Sequence, residues 1–176
     1  YGKPGQRMDF YELDPDVVMI ASKYFTFLAD SSARVTVVSG DARLSLQRGA
    51  GGYDLIVLDA FTGGSIPVHT LTREAFATYE GKLAPGGLIA VHITNRFLNL
   101  RPPLAAVARA QGLRGAARMT SQTTLKEQHY YSSWVAIAKD EGALAPLLAA
   151  GWEDLSLEQP ARPWTDQHAS LLSALK

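Results

Sequence analysis

Tyr53-Asp54-Leu55-Ile56-Val57-Leu58-Asp59 is a short, nearly unbroken apolar run that begins after Gly51-Gly52 and stops at a carboxylate. A run of this length, aliphatic and β-branched and bounded by turn residues, reads as a strand. It does not alternate apolar with polar, which is the pattern of a parallel strand covered on both faces. The segment therefore predicts a parallel sheet flanked by helices.

Working outward, the same logic recurs on each side. Upstream, Arg34-Val35-Thr36-Val37-Val38 is β-branched and reads as a strand, ending in Ser39-Gly40-Asp41-Ala42, with a short helix from Ala42 to Gln47. Before it, Arg7 to Leu13 reads as another strand. Asp14-Pro15 then supplies a favoured helix cap and first helical residue. Val17, Val18, Ala21, Tyr24, Phe25 and Leu28 follow at helical spacing, which predicts a helix to about Leu28. Downstream, Ala60 to His69 reads as a loop. A helix is expected from about Thr72, its cap, to Leu83, then a turn at Ala84-Pro85-Gly86-Gly87 and a strand from Leu88 to Thr94. Pro102-Pro103 opens a helix through Gln111. Strands are expected near Ala116 to Thr120 and Ser133 to Ala138, a helix from Ala143 to Ala150, and a last short helix from His168 to Leu175. Alternating strands and helices with right-handed crossovers make a mostly parallel, doubly wound α/β sheet, read as one domain over residues 1–176.

Composition bounds the function. Of 176 residues, 47% are hydrophobic and 19% charged, and 17 Lys and Arg balance 17 Asp and Glu, so no basic excess suggests a nucleic-acid surface. The chain has no cysteine, which excludes disulfides, thiolate metal sites and a cysteine nucleophile. No apolar run reaches the roughly 18 residues of a membrane span, and no signal peptide is visible, so a cytoplasmic protein is expected. The first residue is Tyr1 rather than Met, which leads us to expect a piece of a longer protein.

In open α/β sheets ligands bind at the carboxyl ends of the strands, and here those ends are polar. The first carries Glu12, the second Asp41, the third Asp59, and a fourth His92, Thr94 and Asn95. Glu12 is placed to accept from ribose hydroxyls; its bland alternative is a solvated acid at a strand end. Asp41 is placed to accept from an adenine amine while the next backbone N–H, that of Ala42, donates to the ring. Equally, it is placed to cap the helix that follows. Asp59 ends a strand read as buried and suits a general base, or else a loop-capping acid. His69 reads as a loop-positioning residue and His92 as a core histidine; His129 lies between Gln128 and two tyrosines. No histidine pair has metal-ligand spacing, so no metal is expected. Tyr130, Tyr131 and Trp134 read either as core or as the walls of a nucleoside or amine pocket.

The run Phe10 to Pro15, then Ser39-Gly40-Asp41, then Tyr53 to Asp59, resembles the spermidine synthase family. Ile66-Pro67, Leu71-Thr72 and Leu83 to Gly87 continue the resemblance in order, over about residues 1–96. Within it, the chain is similar to bacterial spermidine synthase-like proteins, some of which are fused to membrane segments. The resemblance implies a methyltransferase-like Rossmann fold and an S-adenosyl co-substrate: decarboxylated S-adenosylmethionine for aminopropyl transfer, S-adenosylmethionine for methyl transfer. Glu12 would hold the ribose, Asp41 and Ala42 the adenine, and Asp59 would be the base acting on a small-molecule amine. A homodimer is in keeping with the family. Three departures stand out. The family's second, diamine-binding acid is Thr62 here. The N-terminal β-domain is absent from the chain, and so are the first strand and its glycine-rich loop. That strand lies mid-sheet, between those ending in Glu12 and Asp59, so its two neighbours lose their partner here, and either another segment fills the gap or the longer protein supplies the strand upstream. A non-catalytic nucleoside-binding or scaffold module is the contrasting expectation.

Overall fold

Asp14 and Pro15 start the first helix as their chemistry dictates: the Asp14 carboxylate accepts from the Asp16 N–H at 2.8 Å, and proline occupies the first helical position. The structure, a computed structural model, describes residues 2–60, 67–95, 97–123 and 129–176, with backbone alone at 122, 123, 129 and 130. It forms two compact units, Tyr1–Ala50 and Gly51–Lys176.

The first unit runs β1 (Arg7–Glu12), α1 (Pro15–Tyr24), β2 (Arg34–Ser39) and α2 (Ala42–Arg48). Helix α1 stops at Tyr24, four residues short of Leu28, because Phe25 turns extended (φ −126°, ψ 149°). Phe25 and Phe27 then pack edge to face, 6.2 Å between centroids, instead of extending the helical stripe. β1 and β2 are parallel and end together, Glu12 opposite Ser39. The unit buries little: α1 has no buried residue, and Val17, Met19, Ile20 and Tyr24 stay exposed.

The second unit contains β3 (Tyr53–Leu58), α3 (Arg73–Glu80), β4 (Leu83–His92), α4 (Arg101–Ala110), β5 (Arg114–Thr123), β6 (His129–Ala138), α5 (Glu141–Ala149) and β7 (Glu153–Asp154). Its sheet order is β3-β4-β6-β5-β7, with β3 parallel to β4 and the remaining pairs antiparallel. Side chains alternate faces along a strand, yet neighbours Ala116 and Ala117, and each of Val135 to Ala138, are buried. The middle of this sheet is thus covered on both sides. Ala116, Ala136 and Ala138 pack with Leu144 of α5, while α3 packs on β4, and α4 on α3 and β5. Burying this apolar surface is what holds the unit together, at roughly 25 cal/mol per Å² removed from water.

Besides α1, α3 also stops short, at Glu80 rather than Leu83, the helix expected from His168 to Leu175 is only a 3-10 turn, Leu172–Ala174, and two further expectations fail. Ala84 to Gly87 does not form a turn ahead of a strand; it lies within β4 as a register irregularity, Tyr53 pairing Leu83 and then Leu55 pairing Leu88. Gly87 is required there, since a Cβ would meet the Tyr53 carbonyl at 2.8 Å. The second failure is β3, which is not covered on both faces. Ile56 is buried, but Leu55 and Val57 are 52% and 51% exposed. Among the described residues β3 pairs only with β4, and β1 only with β2, so β1 and β3 each keep one edge without a strand.

Amide hydrogen exchange should rank the strands by this pairing. β6, flanked by β4 and β5, should exchange slowest in its Val135–Ala138 segment; β1 and β2 should exchange fastest. Equal protection of β1 and β6 would contradict the two-unit description.

Candidate functional site

The parallel pairing of β3 with β4 sets Leu58 opposite Val91. The next residue on each strand is therefore Asp59 and His92, side by side at the carboxyl ends. The Asp59 Oδ1 lies 2.7 Å from His92 Nδ1. The other ring nitrogen, Nε2, lies 2.5 Å from the Thr94 hydroxyl. That hydroxyl in turn accepts from the Ser133 N–H at 2.9 Å. The imidazole lies flat on the Trp134 indole, 4.5 Å between centroids and 12° between planes, Trp134 being its register partner on β6. The indole N–H donates to Ser132 Oγ at 2.9 Å. Asp59, expected at a buried strand end, has a side chain 52% exposed, against 22% for His92. The half-uncovered β3 explains this: its end opens to solvent.

Asn95, the next polar residue, is buried and structural. Its Oδ1 accepts from the Phe97 and Leu98 N–H groups at 2.8 and 2.9 Å, turning the chain away from the sheet. Its carbonyl accepts from the Tyr131 hydroxyl at 3.2 Å. Of the three aromatics expected as pocket walls, Tyr131 is bound to this turn and Trp134 to His92; the Tyr130 side chain lies outside the described residues. Thr62 likewise lies outside them. His69 sits in a short 3-10 turn, Val68–Thr70, ahead of the Thr72 cap. Among the described residues no three His, Cys, Asp or Glu side chains are grouped to hold a metal ion.

The first unit carries the other acids. Glu12 ends β1, and its Oε1 accepts from the Asp14 N–H at 2.9 Å. Gly40, at φ +125°, a conformation that favours glycine, donates to the Glu12 carbonyl at 2.9 Å and turns the chain into α2. Asp41 is the N-cap of α2, its Oδ1 accepting from the Leu44 N–H at 2.8 Å. Ala42, exposed, opens that helix. Glu12 and Asp41 thus stand at adjacent ends of two paired strands, each carboxylate already serving a local turn. A hollow of the second unit, lined by Ala105, Arg109, Arg114 and Asp154 among others, contains none of the candidate residues. The chemistry-bearing groups sit at strand ends rather than in that hollow.

The Asp59–His92 pair was only half visible in the sequence. Both residues stand at strand ends there, but nothing local says that the two strands are neighbours. The usable signal is that each follows an apolar run, at Leu58 and at Val91.

No family model matches the chain. It is 40% identical over 92 residues to a polyamine aminopropyltransferase of Vibrio vulnificus, a match covering 51% of this chain and 30% of that protein. It is 30% identical over 98 residues to putrescine N-methyltransferase 3 of Nicotiana tabacum, covering 54% and 26%. In fold it matches the crystal structure of a probable spermidine synthase from Corynebacterium glutamicum, with TM-score 0.59, 19% identity, 92% of this chain and 65% of that one. The matched segments thus span less than a third of these curated relatives.

Stability measurements can weigh the capping role of Asp41. Asp41→Ala should cost about 0.5–2 kcal/mol in denaturant unfolding of the first unit, the usual loss of an N-cap, whereas Asp41→Asn should be close to neutral. A neutral Asp41→Ala would remove the cap from the account.

Proposed function

We propose, for a chain that is spermidine synthase-like in sequence and of the methyltransferase-like Rossmann type in fold, that its protein binds an S-adenosyl nucleoside and transfers an aminopropyl group to a small amine, with Asp59 as general base. The reading treats residues 1–176 as one nucleoside-binding domain. The observation that carries it is the Asp59 carboxylate at the open end of β3, held through one oxygen by His92 and half exposed. A site with a reactive carboxylate at a parallel strand end suits this chemistry.

An alkylamine reaches the site as ammonium, since its pKa is near that of lysine, about 10.4. It cannot attack until it loses a proton. Asp59 accepts that proton; the freed lone pair forms a bond to the methylene carbon beside the sulfonium of decarboxylated S-adenosylmethionine. The carbon–sulfur bond breaks, and its electron pair returns to sulfur as the neutral thioether of methylthioadenosine. Such a base contributes typically about 10²–10⁴-fold. Holding the two reactants in line supplies more. Glu12, Asp41 and the Ala42 backbone would hold the nucleoside, two carboxylates at neighbouring strand ends accepting from its hydroxyl and amine groups. Thr62, in place of a second acid, would leave the far end of a diamine without a carboxylate partner.

Methyl transfer to an amine from S-adenosylmethionine is the second reading. It is favoured by the likeness to putrescine N-methyltransferase 3 and by Thr62, which weakens the case for a diamine specific to aminopropyl transfer.

Calorimetric titration of the natural full-length protein separates the readings. Tighter binding of methylthioadenosine supports aminopropyl transfer, tighter binding of S-adenosylhomocysteine supports methyl transfer, and binding of neither sinks both and leaves a non-catalytic module. Asp59→Asn should keep nucleoside affinity and lower transfer by at least about 10²-fold; turnover at the wild-type rate would remove Asp59 as the base. Glu12→Gln, which keeps the acceptor for Asp14, should weaken nucleoside binding by about 1–3 kcal/mol, the worth of a hydrogen bond to a charged group. An unchanged dissociation constant would take Glu12 out of the site.

A further inference from the structure

We infer that His92 is a positioning residue for Asp59, donating from Nδ1 to Oδ1 so that Oδ2 is the oxygen presented to the acceptor amine. The inference rests on the reading of Asp59 as the base. The bonding order around the ring leads to it. Thr94 Oγ1 accepts from the Ser133 N–H at 2.9 Å. The Asp59 carboxylate can only accept, so its Oδ1, beside Nδ1, takes the Nδ1 proton, and the one hydrogen of the Thr94 hydroxyl goes to Nε2, 2.5 Å away. In a neutral imidazole one nitrogen accepts and the other carries the proton. With Nε2 accepting, the proton is on Nδ1, 2.7 Å from Asp59 Oδ1. The proton's place is thus set by the carboxylate beside Nδ1.

The ring is fixed in its remaining freedom by Trp134. Stacking at 4.5 Å and 12° holds the imidazole plane parallel to the indole, and the indole is itself tied to Ser132 Oγ. Two in-plane bonds and one stacked face leave the Nδ1–H a single direction. A carboxylate pinned at one oxygen has its other oxygen aimed, which is what a base needs before it can come within reach of a proton.

The chain hydroxyl–imidazole–carboxylate also has the connectivity of a nucleophile triad, in which the hydroxyl attacks. Exposure argues against that use. In such triads the carboxylate is the buried end; here Asp59 is the open end at 52% exposure, and His92 lies deeper at 22%. The Thr94 oxygen is engaged by the sheet through Ser133. The reactive terminus is therefore the carboxylate, with Thr94 and His92 behind it.

The test combines a spectroscopic and a kinetic readout. Nitrogen-15 NMR of the full-length protein should show the His92 proton on Nδ1 in the neutral ring, and Thr94→Val should leave it there, since the Asp59 carboxylate still accepts it. In the full-length protein, His92→Gln places an amide near Nε2 and loses the donor to Asp59. It should lower kcat for aminopropyl transfer by about 10²-fold, the scale of a small misplacement, with nucleoside Kd and Tm unchanged. His92→Asn places its amide nitrogen near Nδ1 and should recover most of that loss. A ring proton on Nε2 in the wild type, or equal losses in the Asn and Gln variants, would overturn the role of His92 while wild-type transfer leaves Asp59 as base untouched. A wild-type protein that transfers no aminopropyl group would instead overturn the reading of Asp59 as the base, and the inference with it.

Discussion

The parallel pairing of β3 with β4 is the constraint on which the candidate site depends. Register in a sheet is strict, because a slip of one residue turns every side chain to the other face. With Leu58 opposite Val91, Asp59 and His92 must leave their strands together. A shift of one residue would separate them and would also expose Ile89 and Val91, both fully buried. The core that makes the second unit stable therefore fixes the geometry of a polar pair that contributes little to stability itself. β4 can do this because it is held on both sides, by β3 and by β6. β6 adds Trp134 and Ser133, which orient the imidazole and the Thr94 hydroxyl.

The strand edges left without a partner are the other organising fact. Parallel sheets are ordinarily covered on both faces and paired along their strands, yet β1 and β3 each keep an edge without a strand among the described residues. The energetic trace is visible in the side chains. Leu55 and Val57 retain about half of their exposure, so each forgoes a good part of the roughly 1.5–3 kcal/mol that full burial of such a side chain contributes. The first unit forgoes more, with no residue of α1 fully buried and a two-stranded sheet beside it, an arrangement of marginal independent stability. The open end of β3 is also why Asp59 meets solvent. The same deficiency that weakens the strand leaves its carboxylate accessible.

Helix starts were legible more closely than helix ends. The caps at Asp14, Asp41, Thr72 and Asp140 each accept a hydrogen bond at the start of a helix, and the first three were readable because a cap acts within three residues of itself. What was not legible were features set by distant residues. The irregularity at Ala84–Gly87 looked like a free turn because its residue types are turn formers; only Tyr53, on the neighbouring strand, draws it into β4. The apolar run of β3 looked doubly covered because composition reports the burial a strand suits, while exposure depends on what lies beside it.

By itself, then, the sequence determined the strand and helix types, the caps and the polar residues at the strand ends, since periodicity and capping are settled over a few bonds. The tertiary structure alone decided that Asp59 would face His92, 33 residues away, that Thr94 would close the chain behind it, and that Leu55 and Val57 would stay half exposed. The physical reason is that strand adjacency and register arise from burial summed over a whole sheet, which no short segment encodes.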